Sequence, residues 1–146
     1  MEKYNYEITI EAGVQKVWDN ITDNSLSKQW LTAFSDNISA TGEWKLGWKI
    51  SFVDADWGTF AQIVQYDPLK TVELKHTATI TKDGVHETTW EMTEKWIGST
   101  EKYTLEKVSD TQVRVLVEME TDPVFREMFT EAWPKALDML KRISEV

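Results

Sequence analysis

The sequence predicts an α+β fold in which an antiparallel sheet is covered on one face by a long C-terminal helix. Three observations predict it. A run of about six segments alternates apolar and polar residues with the period of two that marks half-buried strands. The last stretch of the chain instead repeats its apolar residues every three or four positions over about 22 residues, a rod of roughly 33 Å. No alternation of strand and helix calls for parallel crossovers, so antiparallel pairing follows. The 146 residues match the size of one domain, read here as residues 1–146.

Each element has its own signature. Residues 3–11 place Tyr4, Tyr6, Ile8 and Ile10 on one face and charged or polar residues on the other, which is a strand. From Ala12 the period changes: Val14, Val17, Trp18 and Ile21 recur at helical spacing, Asn20 to Ser25 reads as a break, and Leu26, Trp30 and Leu31 suggest a second short helix. Strands are then expected over 38–40, over 47–54 with Trp48, Ile50 and Phe52 on one face, and over 57–66, punctuated by Gly42, Gly47, Gly58 and Asp67-Pro68. Residues 71–79 alternate cleanly, with Val72, Leu74, His76 and Ala78 on the apolar side, and Lys82-Asp83-Gly84 makes a turn. Over 88–97 both periods fit, and a short helix or loop is the reading taken. Segments 101–108 and 112–121 form a hairpin turning at Ser109-Asp110, with Tyr103, Leu105, Val113, Val115, Val117 and Met119 facing one way. Asp122 is an N-cap with Pro123 in the first helical position. The helix that follows buries a stripe from Val124 or Phe125 through Met128, Phe129, Ala132, Trp133, Ala136, Leu137 and Leu140 to Ile143, with Pro134 expected to kink it.

Composition excludes several classes of function. A net charge of −9 opposes binding to nucleic acid or to an anionic membrane, both of which present phosphate. No apolar run reaches the roughly 20 residues that span a bilayer. The first ten residues read as a strand rather than a signal peptide, so the expected home is cytoplasmic. With no cysteine and only His76 and His86, thiolate chemistry and a histidine metal cage have no ligands, and neither a metal nor a cofactor is expected. The serines lie outside any Gly-x-Ser-x-Gly context, and the 25 carboxylates show no spacing that singles out an acid–base pair, so no catalytic residue is named. Asp54 and Asp56 read as turn residues. The unusual feature is aromatic: 8 Trp, 4 Tyr and 5 Phe.

Tyr66-Asp67-Pro68 followed by Val72-Glu73-Leu74, then Tyr103-Thr104-Leu105 and the ending Trp133-Pro134-Lys135-Ala136-Leu137-Asp138-Met139-Leu140-Lys141, carry a resemblance over essentially the whole chain. They resemble the SRPBCC superfamily (START and birch-pollen-allergen proteins) and, within it, bacterial proteins similar to the C-terminal domain of the activator of the heat-shock protein 90 ATPase. The loop Thr41–Gly47 lacks the dense glycine run of the plant members, which weakens any phosphate-cradling role for it. The resemblance implies a helix-grip fold, a curved antiparallel sheet wrapped around the C-terminal helix, with a space between them. Trp48, Phe52, Phe60, Trp90, Trp96, Tyr103 and Phe129 would face that space, and His76 would join them from the apolar side of its strand.

His76 has two readings: a packed ring with a hydrogen-bond partner, or the polar anchor of a ligand cavity. The function expected is binding of a small apolar or aromatic molecule between sheet and helix. The alternatives are a co-chaperone-like module that docks on a chaperone or other protein, and a cyclase-like enzyme using His76 or a nearby carboxylate as base.

Overall fold

The computed structural model describes residues 1–86 and 91–146, the side chains of Glu91 and Met92 excepted. The elements follow the periodicities in order: β1 (Glu2–Ile10), α1 (Val14–Thr22), α2 (Asn24–Leu31), β2 (Ser39–Thr41), β3 (Lys49–Asp54), β4 (Trp57–Asp67) and β5 (Thr71–Thr81). After these come β6 (Gly84–His86), α3 (Glu91–Trp96), β7 (Thr100–Ser109), β8 (Gln112–Thr121), a 3-10 turn (Pro123–Phe125) and α4 (Arg126–Ser144). The strands make one curved antiparallel sheet in the order β1-β8-β7-β5-β4-β3-β2, with β6 folded back on β5. This is the expected α+β helix-grip arrangement.

The helices lie on the buried face. Phe129, Ala132, Trp133, Ala136, Leu137 and Leu140 of α4 are buried, and α4 packs on β1, α1 and α2. Asn20 Nδ2 donates to Ser144 Oγ at 3.0 Å, pinning α1 to the end of α4. Trp30 Nε1 donates to the Asn20 carbonyl at 2.8 Å, so α2 is tied to α1 inside the core. The break expected over Asn20–Ser25 contracts to the single residue Asp23. Its N–H closes α1 on the Asp19 carbonyl while its carboxylate accepts from Ser25 N and Leu26 N at the start of α2. At the other junction Asp122 accepts from Val124 N with Pro123 beside it, as expected, but the cap opens a 3-10 turn that runs into α4. The α4 stripe narrows at its start: Val124 and Met128 are about half exposed. Pro134 lies inside α4, and Thr130, whose carbonyl it cannot serve, is an exposed residue.

Three local readings change. β6 was not foreseen. The hairpin turn is Asp110-Thr111, because Ser109 still pairs with Gln112 after a register shift at Val108. Of the ambiguous stretch 88–97, Glu91–Trp96 is helical, and Thr88 to Trp90 lie outside the described residues.

The middle of β5 positions the site. Thr71 to Lys75 pair with β7 and Thr79 to Thr81 pair with β6, so β5 changes neighbour in between. The backbone of His76 fills that interval itself: its N–H donates to the Ser99 carbonyl and its carbonyl accepts from Gly98 N, both at 2.8 Å. Gly98 takes φ +90, a left-handed conformation that suits glycine at the turn from α3 into β7. On the opposite edge Ala61 of β4 faces His76, but the adjacent Phe60 faces Ala78, leaving Thr77 as an extra residue. A bulge of this kind reverses the in–out alternation beyond it.

Candidate functional site

Between the sheet, α3 and the first turns of α4 lies an open cavity of about 390 Å³. The bulge at Thr77 decides which side chains of β5 reach it. His76 lines the cavity, and so does Thr79, whereas Ala78, expected on the same face as His76, pairs with Phe60 away from it. On β4 the inward residue is Thr59, opposite Phe52 of β3. Gly58 continues that wall, since a Cβ there would run into the Phe52 carbonyl oxygen. On β7 alternation brings Glu101 and Tyr103 to the same side, and both line the cavity.

The aromatic wall is built around Trp96. Its ring lies 4.4 Å from that of His76, stacks on Phe129 at 5.8 Å and meets Phe125 edge-on at 5.2 Å, so α3 bridges the sheet and α4. A hydroxyl pair, Thr79 Oγ1 and Thr93 Oγ1 at 2.7 Å, ties α3 to β5 a second time. At the mouth Trp57 is 53% exposed and Met128 is 52% exposed.

Of the eight expected residues, Phe52, His76, Trp96, Tyr103 and Phe129 surround this space. Trp48 does not: it precedes β3, is 51% exposed, and carries Lys45 Nζ over its ring at 5.5 Å. Nor does Phe60, which shares the far face with Ser51 and Ala78. Trp90 falls outside the described residues. Thr59 and Glu101 were missed, although both had a signal: Thr59 alternates with Ala61 and Ile63, and Glu101 with Tyr103 and Leu105, so each sits at an inward position.

These two residues complete a hydrogen-bond network around His76, which is 1% exposed. Thr59 Oγ1 has three partners: Trp96 Nε1 at 2.9 Å, His76 Nδ1 at 2.9 Å and the Ala78 carbonyl at 3.1 Å. The indole can only donate and the carbonyl can only accept, so the single hydroxyl proton goes to Ala78. His76 Nδ1 must therefore carry a proton and donate to Thr59. His76 Nε2 lies 2.6 Å from Glu101 Oε1, and one proton sits between them; Tyr103 Oη donates to Glu101 Oε2 at 3.1 Å. Burial, reinforced by the adjacent Glu101 carboxylate and the hydrogen bond to it, holds the Tyr103 phenol well above its usual pKa. Both ring nitrogens of His76 are thus engaged, and the ring offers no lone pair to the cavity. The polar surface that a guest would meet includes the Glu101 carboxyl, 14% exposed.

Among the described residues no helix is long and apolar enough to cross a membrane, and no group of three or more His, Asp or Glu side chains is placed to hold a metal ion. No family model matches the chain, and no curated protein sequence matches it. Solved structures do. The Aha1 dimer from Colwellia psychrerythraea, a solution structure, is 25% identical with a TM-score of 0.73, covering 100% of this chain and 98% of its own. MLL2253 from Mesorhizobium loti is 16% identical with a TM-score of 0.73, covering 97% and 96% of the two chains. CalU16 from Micromonospora echinospora is 17% identical with a TM-score of 0.64, covering 97% and 73%. The last two share the fold; the first shares the fold and a quarter of its residues over the whole length. With the motifs at Tyr66–Leu74, Tyr103–Leu105 and Trp133–Lys141 set on β4, β5, β7 and α4 of a helix-grip sheet, the chain is similar over its whole length to the Aha1 protein of Colwellia psychrerythraea, in line with the resemblance to Aha1-like SRPBCC proteins.

Proposed function

We propose that this protein binds one small apolar or aromatic molecule, without covalent chemistry, in the cavity between the sheet, α3 and α4. The observation that carries the reading is the cavity itself: about 390 Å³, walled by the rings of Phe52, Trp96 and Phe129, with a satisfied polar cluster on one side. A concave, mostly apolar space with a few convergent polar groups is how small-molecule sites are usually built. The test is a fluorescence titration with N-phenyl-1-naphthylamine, a neutral dye that brightens in apolar surroundings. Saturable binding at one dye per chain, with quenching of tryptophan emission, is expected. Absence of saturable binding refutes the reading.

A second reading, a module that docks on a chaperone or other protein, draws on the exposed apolar side chains of Trp57 and Met128 at the cavity mouth. It predicts co-elution with a chaperone on gel filtration that is lost in Trp57→Ser/Met128→Ser.

A further inference from the structure

The hydrogen bonds of the cavity wall say which guests it accepts, and this step rests on the binding function proposed above. Thr59 receives two donors and gives its one proton to Ala78. Trp96 has spent its N–H on Thr59 and His76 its Nδ1–H likewise, while Tyr103 has spent its hydroxyl proton on Glu101. The proton between His76 Nε2 and Glu101 Oε1 lies inside their own bond whichever atom holds it. Trp133 also lines the cavity and its Nε1 has no partner, but that atom is sealed from solvent within the ring packing of α4. Thr81, where β5 ends, is already paired with His86 Nε2 and Asp83 N.

The inventory that remains is lopsided. Glu101 keeps lone pairs on both oxygens beyond the one bond that each makes, and Tyr103 Oη keeps its own. Against these acceptors, among the described residues the cavity interior has one uncommitted donor, the second hydroxyl proton of the Thr79–Thr93 pair, while the Trp57 indole N–H stands at the exposed mouth. A carboxylate guest would set its charge against the oxygens of Glu101 with a single neutral hydroxyl to compensate. A phenol, alcohol or amine would donate into Glu101 and could accept from the threonine pair.

We propose that the cavity selects apolar or aromatic guests that carry a hydrogen-bond donor, such as a phenol or an aryl amine, and rejects the corresponding carboxylates. Leaving buried acceptors unmatched or facing an anion costs enough for about a 10- to 100-fold discrimination. Naphthalene, 1-naphthol and 1-naphthoate share one ring system and separate the apolar contribution from the polar one. Each is titrated at neutral pH against protein loaded with N-phenyl-1-naphthylamine. The expected result is displacement by 1-naphthol at least tenfold more effective than by 1-naphthoate, with naphthalene between them. In Glu101→Gln, which puts amide N–H donors on the wall, the ratio should shrink several-fold; in Tyr103→Phe, which frees a further lone pair on Glu101, it should persist. If 1-naphthoate displaces the dye as well as 1-naphthol does, the selectivity is overturned while the cavity remains a binding site. If neither the dye nor naphthalene binds, the binding function and the selectivity both fall. Should Glu101→Gln not fold, the comparison among the three ligands on the unaltered protein still decides.

Discussion

Thr59→Val should destabilise this protein more than His76→Phe, although histidine is the larger and more polar residue. Valine has the shape of threonine, so the substitution leaves no cavity and isolates the hydroxyl. That hydroxyl serves three groups at once, the Trp96 indole N–H, the His76 Nδ1–H and the Ala78 carbonyl, at 2.9, 2.9 and 3.1 Å. Removing it orphans all three. A buried polar group left unpaired costs about 1–3 kcal/mol, and because the open cavity admits water the low end applies to each, giving a loss of about 3 kcal/mol. His76→Phe instead keeps the ring against Trp96 and leaves Thr59 with two of its three partners. It strips only Glu101 Oε1, whose carboxyl reaches the cavity, so about 1–2 kcal/mol is expected. Urea unfolding followed by tryptophan emission, with slopes checked for equality, measures both. Thr59→Ser is the control, retaining the hydroxyl and losing less than about 1 kcal/mol. A loss below about 1 kcal/mol in Thr59→Val, or a larger loss in His76→Phe, would show that the hydroxyl is not the hub of this network.

Other perturbations probe the packing, the bulge and the phenol. Trp133→Ala should cost about 3–5 kcal/mol in the same assay, because its ring is 1% exposed and packs between Tyr6, Phe34 and Tyr103; a loss below about 1 kcal/mol would contradict the packing of α4. Thr79→Trp should block uptake of N-phenyl-1-naphthylamine and Ala78→Trp should not, because the Thr77 bulge turns the first residue and not the second toward the cavity; the opposite outcome would refute that register. Tyr103 holds its proton to a higher pH folded than its unfolded value of 10.0, so its contribution to stability is complete below pH 10 and is lost as pH rises toward the folded value. Stability of Tyr103→Phe should accordingly fall less steeply than that of the unaltered protein above pH 10, and parallel curves would rule out this coupling.

The sequence by itself determined the elements and their inner faces, because alternation and helical spacing are local properties that each segment carries alone. Tyr4 through Ile10, Val113 through Met119 and the α4 stripe from Phe129 to Leu140 lie where those periods put them. Phe52, Trp96, Tyr103 and Phe129, which the resemblance placed toward the space under α4, do line the cavity, although Trp96 came from a stretch where neither period prevailed. Only the tertiary structure decided what His76 does and which neighbours share its space. The extra residue Thr77 has no signature of its own: a bulge exists only as a mismatch between two paired strands, and this one sends Thr79 inward and Ala78 outward, whereas Phe60 faces outward by the unbroken alternation of β4. Thr59 and Glu101 could be placed facing inward by parity, but their separation from His76 depends on register across β4, β5 and β7 and on the split of β5 between β7 and β6. Hydrogen bonds between residues 17 and 25 positions apart in the chain are set by that register, because a slip of one residue would turn every one of these side chains to the other face.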